Sequence, residues 1–161
     1  MFVISIKSKD LKKYSLCVLA GVLVTIGGVY AVSATPAQVV TNLNGIVLTA
    51  STDEERIAFL SQFGWEIEEE AIEVKEIVIP TEFDDVYWQY NELQVTQNFD
   101  LTQYYGARVK LWKYEIKNYP GYEDTDGIIQ ANLLVLDGVV IAGDVSSIEL
   151  GGFMHTFEMP D

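Results

Sequence analysis

The feature that most constrains this chain is a run of 20 residues without a charge, from Tyr14 to Ser33. About 20 apolar residues span the hydrocarbon core of a bilayer, so the run predicts a transmembrane helix. Four lysines and one aspartate precede it, and the positive-inside rule therefore keeps the N-terminus in the cytoplasm and places the rest outside. The alternative is a cleaved signal with a processing site at Val32-Ser33-Ala34, followed by secretion. The length of the run favours a retained, single-pass anchor in the cell membrane.

The rest of the chain is strongly acidic. The whole sequence carries a net charge of −14 and its first 34 residues contribute +3, so residues 35–161 carry −17. A field of this sign repels nucleic acid and anionic lipid headgroups, and its expected effect is solubility through self-repulsion. The alternative is a cationic, neutral or cation-bridged partner, such as a protein at the cell surface. The single cysteine, Cys17, lies inside the apolar run. The acidic region is therefore predicted to have neither disulfides nor thiolate metal sites.

Capping and periodicity predict three parts: a basic tail with a transmembrane or signal helix (1–34), a connector (35–50) and an acidic extracytoplasmic domain (51–161). In the domain, Thr52 and Glu55 occupy the positions of a capping box, which predicts a first helix ending near Gly64. From residue 65 to 79 apolar and acidic residues alternate. A period of two predicts half-buried strands in this range.

A second helix is predicted after Pro80, with Thr81 as its cap and its end near Gln97. One face of it forms the expected core stripe: Phe83, Val86, Tyr87, Tyr90 and Leu93. Trp88 and Val95 lie seven residues apart on a different face. A second apolar face is either covered by another element or exposed as a contact site, and the rarity of exposed tryptophan favours cover. If the face is exposed, Trp88 and Val95 are candidate binding residues.

The C-terminal half contains strand signals, apart from a short turn that Asp100 is positioned to cap. Strands are predicted over three ranges: 107–117, 128–136 and 139–148. Asp137-Gly138, between the last two, is a strong signal for a two-residue hairpin. The predicted fold class is therefore α+β, an N-terminal transmembrane helix followed by a small domain with a mainly antiparallel sheet and two helices.

Asp144 occupies the position that is hardest to explain without a partner. If the hairpin closes at its two-residue turn, Asp144 pairs with Ala131 on the most apolar face of the sheet. A buried carboxylate needs a partner or its pKa rises, so Asp144 is a candidate contact for a buried ligand or ion. One alternative is a bulge at Gly143 that turns Asp144 outward, which a glycine in a strand favours. The other is a salt bridge to Arg108 or Lys110.

Other residues with catalytic or metal-binding potential lack the partners that such chemistry needs. Asp124 and Asp126 imitate part of a calcium-binding loop and are weak candidate metal ligands. Tyr122 and Leu133 occupy the first and twelfth positions of that pattern, where acids belong, so an acidic turn is the better interpretation. His155, the single histidine, has no evident nucleophile or orienting acid. No catalytic residue and no cofactor is predicted.

Four segments resemble one family of small bacterial proteins: TDEERIAFLSQFGWEIEE, VKEIVIPTEFDDVYWQYNELQ, YEIKNYPG and LLVLDGVVIAGDVSSIELGGFMHTF. This family is known only as a domain of unknown function, and the chain resembles the DUF 4830 type. The resemblance covers most of residues 51–157. It implies a Gram-positive anaerobic source and an exported domain behind an N-terminal hydrophobic helix. It implies no activity, substrate or catalytic residue.

These features together favour a non-enzymatic binding or accessory domain of unknown ligand, tethered to the membrane and facing outward. One alternative is a small secreted hydrolase that uses carboxylates, although 23 acids in residues 35–161 make any single pair uninformative. The other is a structural or assembly partner that acts through the N-terminal helix itself.

Overall fold

The computed structural model describes residues 40–41 and 45–160. The basic tail and the predicted transmembrane segment lie outside these residues. Among the residues that are described, no helix is both long enough and apolar enough to cross a membrane.

The described chain folds as α+β, as predicted, with two α-helices and one antiparallel sheet of five strands. The helices are α1 (Asp53–Ser61), α2 (Asp85–Thr96) and a short 3₁₀ helix (Leu101–Tyr104). The strands are β1 (Glu73–Val78), β2 (Arg108–Glu115), β3 (Ile129–Leu136), β4 (Val139–Ser147) and β5 (Met154–His155). They lie in the sheet in chain order, so each strand pairs with the one before it.

The capping box predicted for the first helix is confirmed. The Thr52 hydroxyl accepts from the Glu55 amide at 3.3 Å, and the Glu55 carboxylate accepts from the Thr52 amide at 3.2 Å. The helix ends before Gly64, which has a φ of +87° that glycine adopts without strain. Phe59 and Leu60 are buried against the sheet.

The hairpin at Asp137-Gly138 is also confirmed. Both turn residues have positive φ, 49° and 78°, as a two-residue hairpin of this hand requires, and Leu136 pairs with Val139. The predicted register holds for only two residues of β4, because Ile141 is inserted as a bulge.

Two hydrophobic clusters cover the two faces of the sheet. On β3, Ala131, Leu133 and Val135 belong to one cluster and Leu134 belongs to the other, as the period of two requires. The first face, covered by α1, is the face of Leu133. The second face, covered by the 3₁₀ helix and by part of α2, is the face of Leu134.

Two sequence predictions need correction. The alternating range 65–79 contains one strand, β1, and only an isolated bridge from Ile67 to Ile116 before it. Trp65 is instead a buried anchor, whose indole N–H donates to the Phe157 carbonyl at 2.6 Å. The cap of α2 is Asp84, whose carboxylate accepts from the Tyr87 amide at 2.8 Å, and not Thr81. A carboxylate at the N-cap also suits the positive end of the helix dipole.

The segment immediately before α1 packs on the hairpin. Thr49 forms a bridge with Val139, and the Ala50 amide donates to the Gly138 carbonyl at 2.7 Å. Leu48 and Ala50 are buried. This part of the predicted connector therefore contributes to the hydrophobic core.

Candidate functional site

Helix α2 is docked through side-chain amides. Its fully buried residues are Asn91 and Gln94, while Phe83 and Tyr90 of the predicted apolar stripe are partly buried against the second hydrophobic cluster. The Asn91 amide oxygen accepts from the Leu101 backbone amide at 2.7 Å, and the Gln94 amide oxygen accepts from the Gly143 amide at 2.8 Å. Buried peptide groups need partners, so these amides dock the helix more specifically than apolar contacts would.

This docking turns apolar residues of α2 toward solvent. Val86, assigned to the core stripe by its spacing, is 72% exposed. Trp88 is 46% exposed and Val95 is 53% exposed. The prediction that another element covers Trp88 and Val95 is therefore wrong for the part of the chain that the structure describes.

Trp88 belongs to a cluster of four aromatic rings. Phe83 lies at its centre, with ring centroids 5.4 Å from Trp88, 5.1 Å from Tyr87 and 4.7 Å from Tyr105. The rings of Trp88 and Tyr105 meet Phe83 edge to face, the geometry that aromatic pairs prefer. Tyr105 is also exposed. The cluster thus presents aromatic surface to solvent at the start of α2.

Three carboxylates surround Trp88 on the helix surface. Asp84 and Asp85 lie four and three residues before Trp88, and Glu92 lies four residues after it, so all three share its side of α2. All three are exposed, and within the described residues none forms an ion pair. We call this surface the aromatic–acidic face: Phe83, Tyr87, Trp88 and Tyr105 with Asp84, Asp85 and Glu92.

Sequence reasoning found Trp88 and Val95 but missed the carboxylates and Tyr105. Two signals were available. Residues 79–106 contain five acids and no basic residue, and three of those acids stand at helical spacing from a tryptophan. Carboxylates beside aromatic faces attract cations, both through Coulomb interaction and through the ring quadrupole.

Asp144 is buried, with 3% of its surface exposed. Its Oδ1 accepts from the Asn132 amide at 2.8 Å and its Oδ2 accepts from the Tyr90 hydroxyl at 3.0 Å. Burial raises the pKa of Asp144, and these hydrogen bonds offset part of that rise. Burial and the neighbouring Asp144 raise the pKa of Tyr90 well above its ordinary value.

Both favoured explanations for Asp144 are wrong. The bulge is at Ile141 and not at Gly143, so Asp144 pairs with Asn132 instead of Ala131. It faces inward on the polar end of the second face. Arg108 pairs with Glu76 at 2.6 Å and not with Asp144.

The pH dependence of stability is expected to change in Asp144→Asn. The folded-state pKa of Asp144 lies above its unfolded value, so the folded protein binds this proton more tightly. Its stabilising contribution is complete below the ordinary aspartate pKa and is lost as pH rises through the folded-state pKa. We therefore expect the wild type to gain stability relative to Asp144→Asn as pH falls from 7 toward 4.

Urea unfolding at several pH values measures this difference in stability, with Asp124→Asn as the exposed control. If the stability of wild type and of Asp144→Asn changes with pH in parallel, the prediction is wrong.

The other sequence candidates do not converge on a site. Asp126 lies 3.3 Å from the Lys117 ammonium, and Asp124 is exposed nearby in the same loop. No group of three potential metal ligands occurs among the described residues. The His155 Nδ1–H donates to the Thr156 carbonyl at 2.7 Å, and its Nε2 lies 3.1 Å from the Tyr119 hydroxyl. These contacts give His155 a structural role at the end of the sheet.

The fold and this surface define a class: a small α+β domain with an antiparallel five-stranded sheet and an exposed aromatic–acidic helix. The family described as "Domain of unknown function (DUF4830)" matches residues 59–145, just over half of the chain. The chain belongs to this family. The matched range begins in α1 and ends in β4, so it includes α2 and the aromatic–acidic face. No curated protein and no solved structure matched the sequence.

Proposed function

We propose that this protein is a non-enzymatic binding domain, tethered to the outer face of a bacterial membrane by its N-terminal segment, whose aromatic–acidic face binds a basic segment of a partner protein. The observation that carries the proposal is the exposed Trp88, surrounded by three carboxylates that form no ion pair with the described residues. A tryptophan is the best ring for a cation–π contact, and a lysine or arginine over it would also meet the carboxylates.

The net charge of the chain supports the same partner. Residues 35–161 carry −17, so a basic segment is attracted from a distance and its association is accelerated at low ionic strength. Tryptophan is enriched among the residues that contribute most to interfaces, and the exposed Val95, seven residues after Trp88 on the same side of α2, supplies apolar surface beside it. The proposed contact therefore combines electrostatic steering with an aromatic anchor.

Binding of a synthetic hexa-arginine peptide to the full chain in non-ionic detergent tests the proposal, measured by calorimetry at low salt. Trp88→Ala is expected to weaken binding by about tenfold or more, as loss of an anchor does. The triple variant Asp84→Asn, Asp85→Asn, Glu92→Gln is also expected to weaken it about tenfold. Asparagine remains a good N-cap, so this variant changes charge while keeping the start of α2.

The matched control is Glu66→Gln, Glu69→Gln, Glu70→Gln, which removes the same charge from exposed positions near the far end of β2. The proposal predicts that this control binds the peptide within about twofold of the wild type at the same salt. If both triple variants lose affinity equally, the peptide responds only to net charge and the proposed face is wrong. Unchanged binding by Trp88→Ala would exclude the aromatic anchor.

The tether is proposed from the 20-residue uncharged run and its preceding lysines. An intact N-terminus in the membrane fraction of a Gram-positive host would support it. A mature chain that starts near Thr35 and is found in the medium would show that the protein is secreted and not tethered.

Neither alternative function gains a specific observation. A carboxylate hydrolase needs two carboxyl groups with opposed pKa shifts in one cleft. Asp144 has the raised pKa, but the hydrogen bonds to it come from Asn132 and Tyr90. Assembly through the N-terminal helix rests on residues outside the described range.

A further inference from the structure

A second candidate site lies on the first face of the sheet. A cavity of about 330 Å³ opens between the start of α1, the start of β2 and the turn between β3 and β4. Arg108, Lys110 and Trp112 line it from β2, where their spacing of two places all three on one side of the strand. Helix α1 leaves this part of the sheet uncovered, since Val74 and Val78 on β1 are half exposed beside it.

The cavity concentrates positive charge in an acidic protein. Three of the six basic residues in residues 35–161 line it: Arg56, Arg108 and Lys110. Two acids line it as well, Glu76 and Asp137, so its lining carries +1 in a region whose total is −17. Within the described residues Lys110 has no ion pair, and the pair between Arg108 and Glu76 is exposed.

One wall of the cavity is rigid. Arg56 is 97% buried, and its guanidinium lies 3.5 Å from the centroid of the Trp112 ring. Its Nε donates to the Tyr114 hydroxyl at 2.8 Å and one Nη donates to the Ala50 carbonyl at 2.9 Å. A fixed charge loses little entropy when a ligand binds, so Arg56 and Trp112 form a preorganised cationic and aromatic wall.

We propose that this cavity binds the oxyanion of a small molecule, a carboxylate or phosphate attached to an apolar group. Arg108 and Lys110 supply exposed donors for the oxyanion, and the half-buried Trp112, together with Val135 in the lining, supplies apolar surface for the rest of the ligand. The volume lies at the lower end of the range for small-molecule sites, about 300–1,000 Å³.

The charge distribution selects against a polyanion. Screening confines electrostatic interactions to about 8 Å at physiological salt, so a small anion inside the cavity responds to the local cations. A longer polyanion would extend over the acidic surface around it and be repelled. The ligand is therefore small and carries one or two charges.

Calorimetric titration of the full chain in non-ionic detergent tests this site with phenyl phosphate, phenylacetate, inorganic phosphate and neutral benzyl alcohol. The double variant Arg108→Gln, Lys110→Gln is expected to weaken binding of the aromatic anions by about tenfold or more. The matched control is Lys75→Gln, Lys113→Gln, which removes two charges from the same two strands. Lys75 and Lys113 project from the second face, because they alternate with the cavity residues.

Saturable binding of either aromatic anion that the double variant loses and the control keeps would support the site, and the preferred probe would separate carboxylate from phosphate. Weaker binding of inorganic phosphate than of phenyl phosphate would support a role for the apolar residues of the cavity. Three results would overturn the proposal: no saturable binding of either anion, equal loss in both double variants, or equal affinity for benzyl alcohol. Both pairs of substituted residues are exposed or half-buried, so the variants are expected to fold. Circular dichroism of each variant checks this.

Discussion

Gly143→Ala is expected to destabilise the domain by about 3 kcal/mol, the upper end of the usual range for overpacking in a well-packed core. A Cβ on Gly143 would overlap with the Asn132 carbonyl oxygen on β3 and with the ring of Phe157. Neither neighbour moves easily, because the carbonyl belongs to the paired backbone and Phe157 is buried among aromatic rings. The backbone of β4 would have to shift.

The same shift would disturb the docking of α2. The Gly143 amide donates to the Gln94 side chain at 2.8 Å, and its carbonyl accepts from the Gln97 side chain at 2.7 Å. Gln97 in turn accepts from the Phe157 amide at 3.0 Å, so Gly143 connects β4, α2 and the C-terminal segment. We expect loss of packing and loss of these hydrogen bonds to occur together in Gly143→Ala.

Urea unfolding followed by near-ultraviolet circular dichroism measures this effect. Gly151→Ala is the control, since Gly151 has a φ of +76° and open space at its Cβ position. It carries only the conformational cost of alanine at positive φ, about 1 kcal/mol. If Gly143→Ala costs no more than Gly151→Ala, then β4 tolerates a methyl group and Gly143 is not closely packed against Asn132 and Phe157.

Local signals predicted the local parts of this fold correctly. The capping box at Thr52 and the Asp-Gly turn of the hairpin depend on neighbours within a few residues, so the sequence contains all the necessary information. The Ile141 bulge depends instead on how β4 fits against both faces of the sheet. No local sequence pattern indicates this bulge. A register predicted without it pairs Asp144 with the wrong residue and places it on the wrong face of the sheet.

The orientation of α2 was the main error, and it determined the candidate site. Glutamine and asparagine are mostly exposed in proteins, so a hydrophobicity pattern puts Asn91 and Gln94 outside and Val86 inside. The peptide group that Gln94 binds belongs to Gly143, which is 49 residues away in the sequence. The hydrophobicity pattern of a single helix contains no information about such distant partners. The cover predicted for Trp88 rested on the rarity of exposed tryptophan, and the described residues do not supply it.

Arg56→Met is expected to cost about 2–4 kcal/mol because it leaves buried polar groups without partners. The guanidinium donates to the Tyr114 hydroxyl and the Ala50 carbonyl, and it pairs with Asp53. Methionine replaces the arginine stem only as far as Nε and has no donor, so Tyr114 and Ala50 would lose their partner in the core. The cation–π contact with Trp112 would be lost as well.

The matched control is Arg108→Met, which removes an exposed arginine from an exposed ion pair and is expected to change stability little. A double-mutant cycle with Tyr114→Phe identifies the cause. When the hydroxyl is already absent, Arg56→Met leaves one fewer unsatisfied group and should cost less, by about 1 kcal/mol or more. Additive effects would mean that the bond between Arg56 and Tyr114 adds nothing to stability and that Arg56 acts through the Ala50 carbonyl and Trp112. A cost of Arg56→Met no larger than that of Arg108→Met would mean that the buried guanidinium is dispensable for the fold.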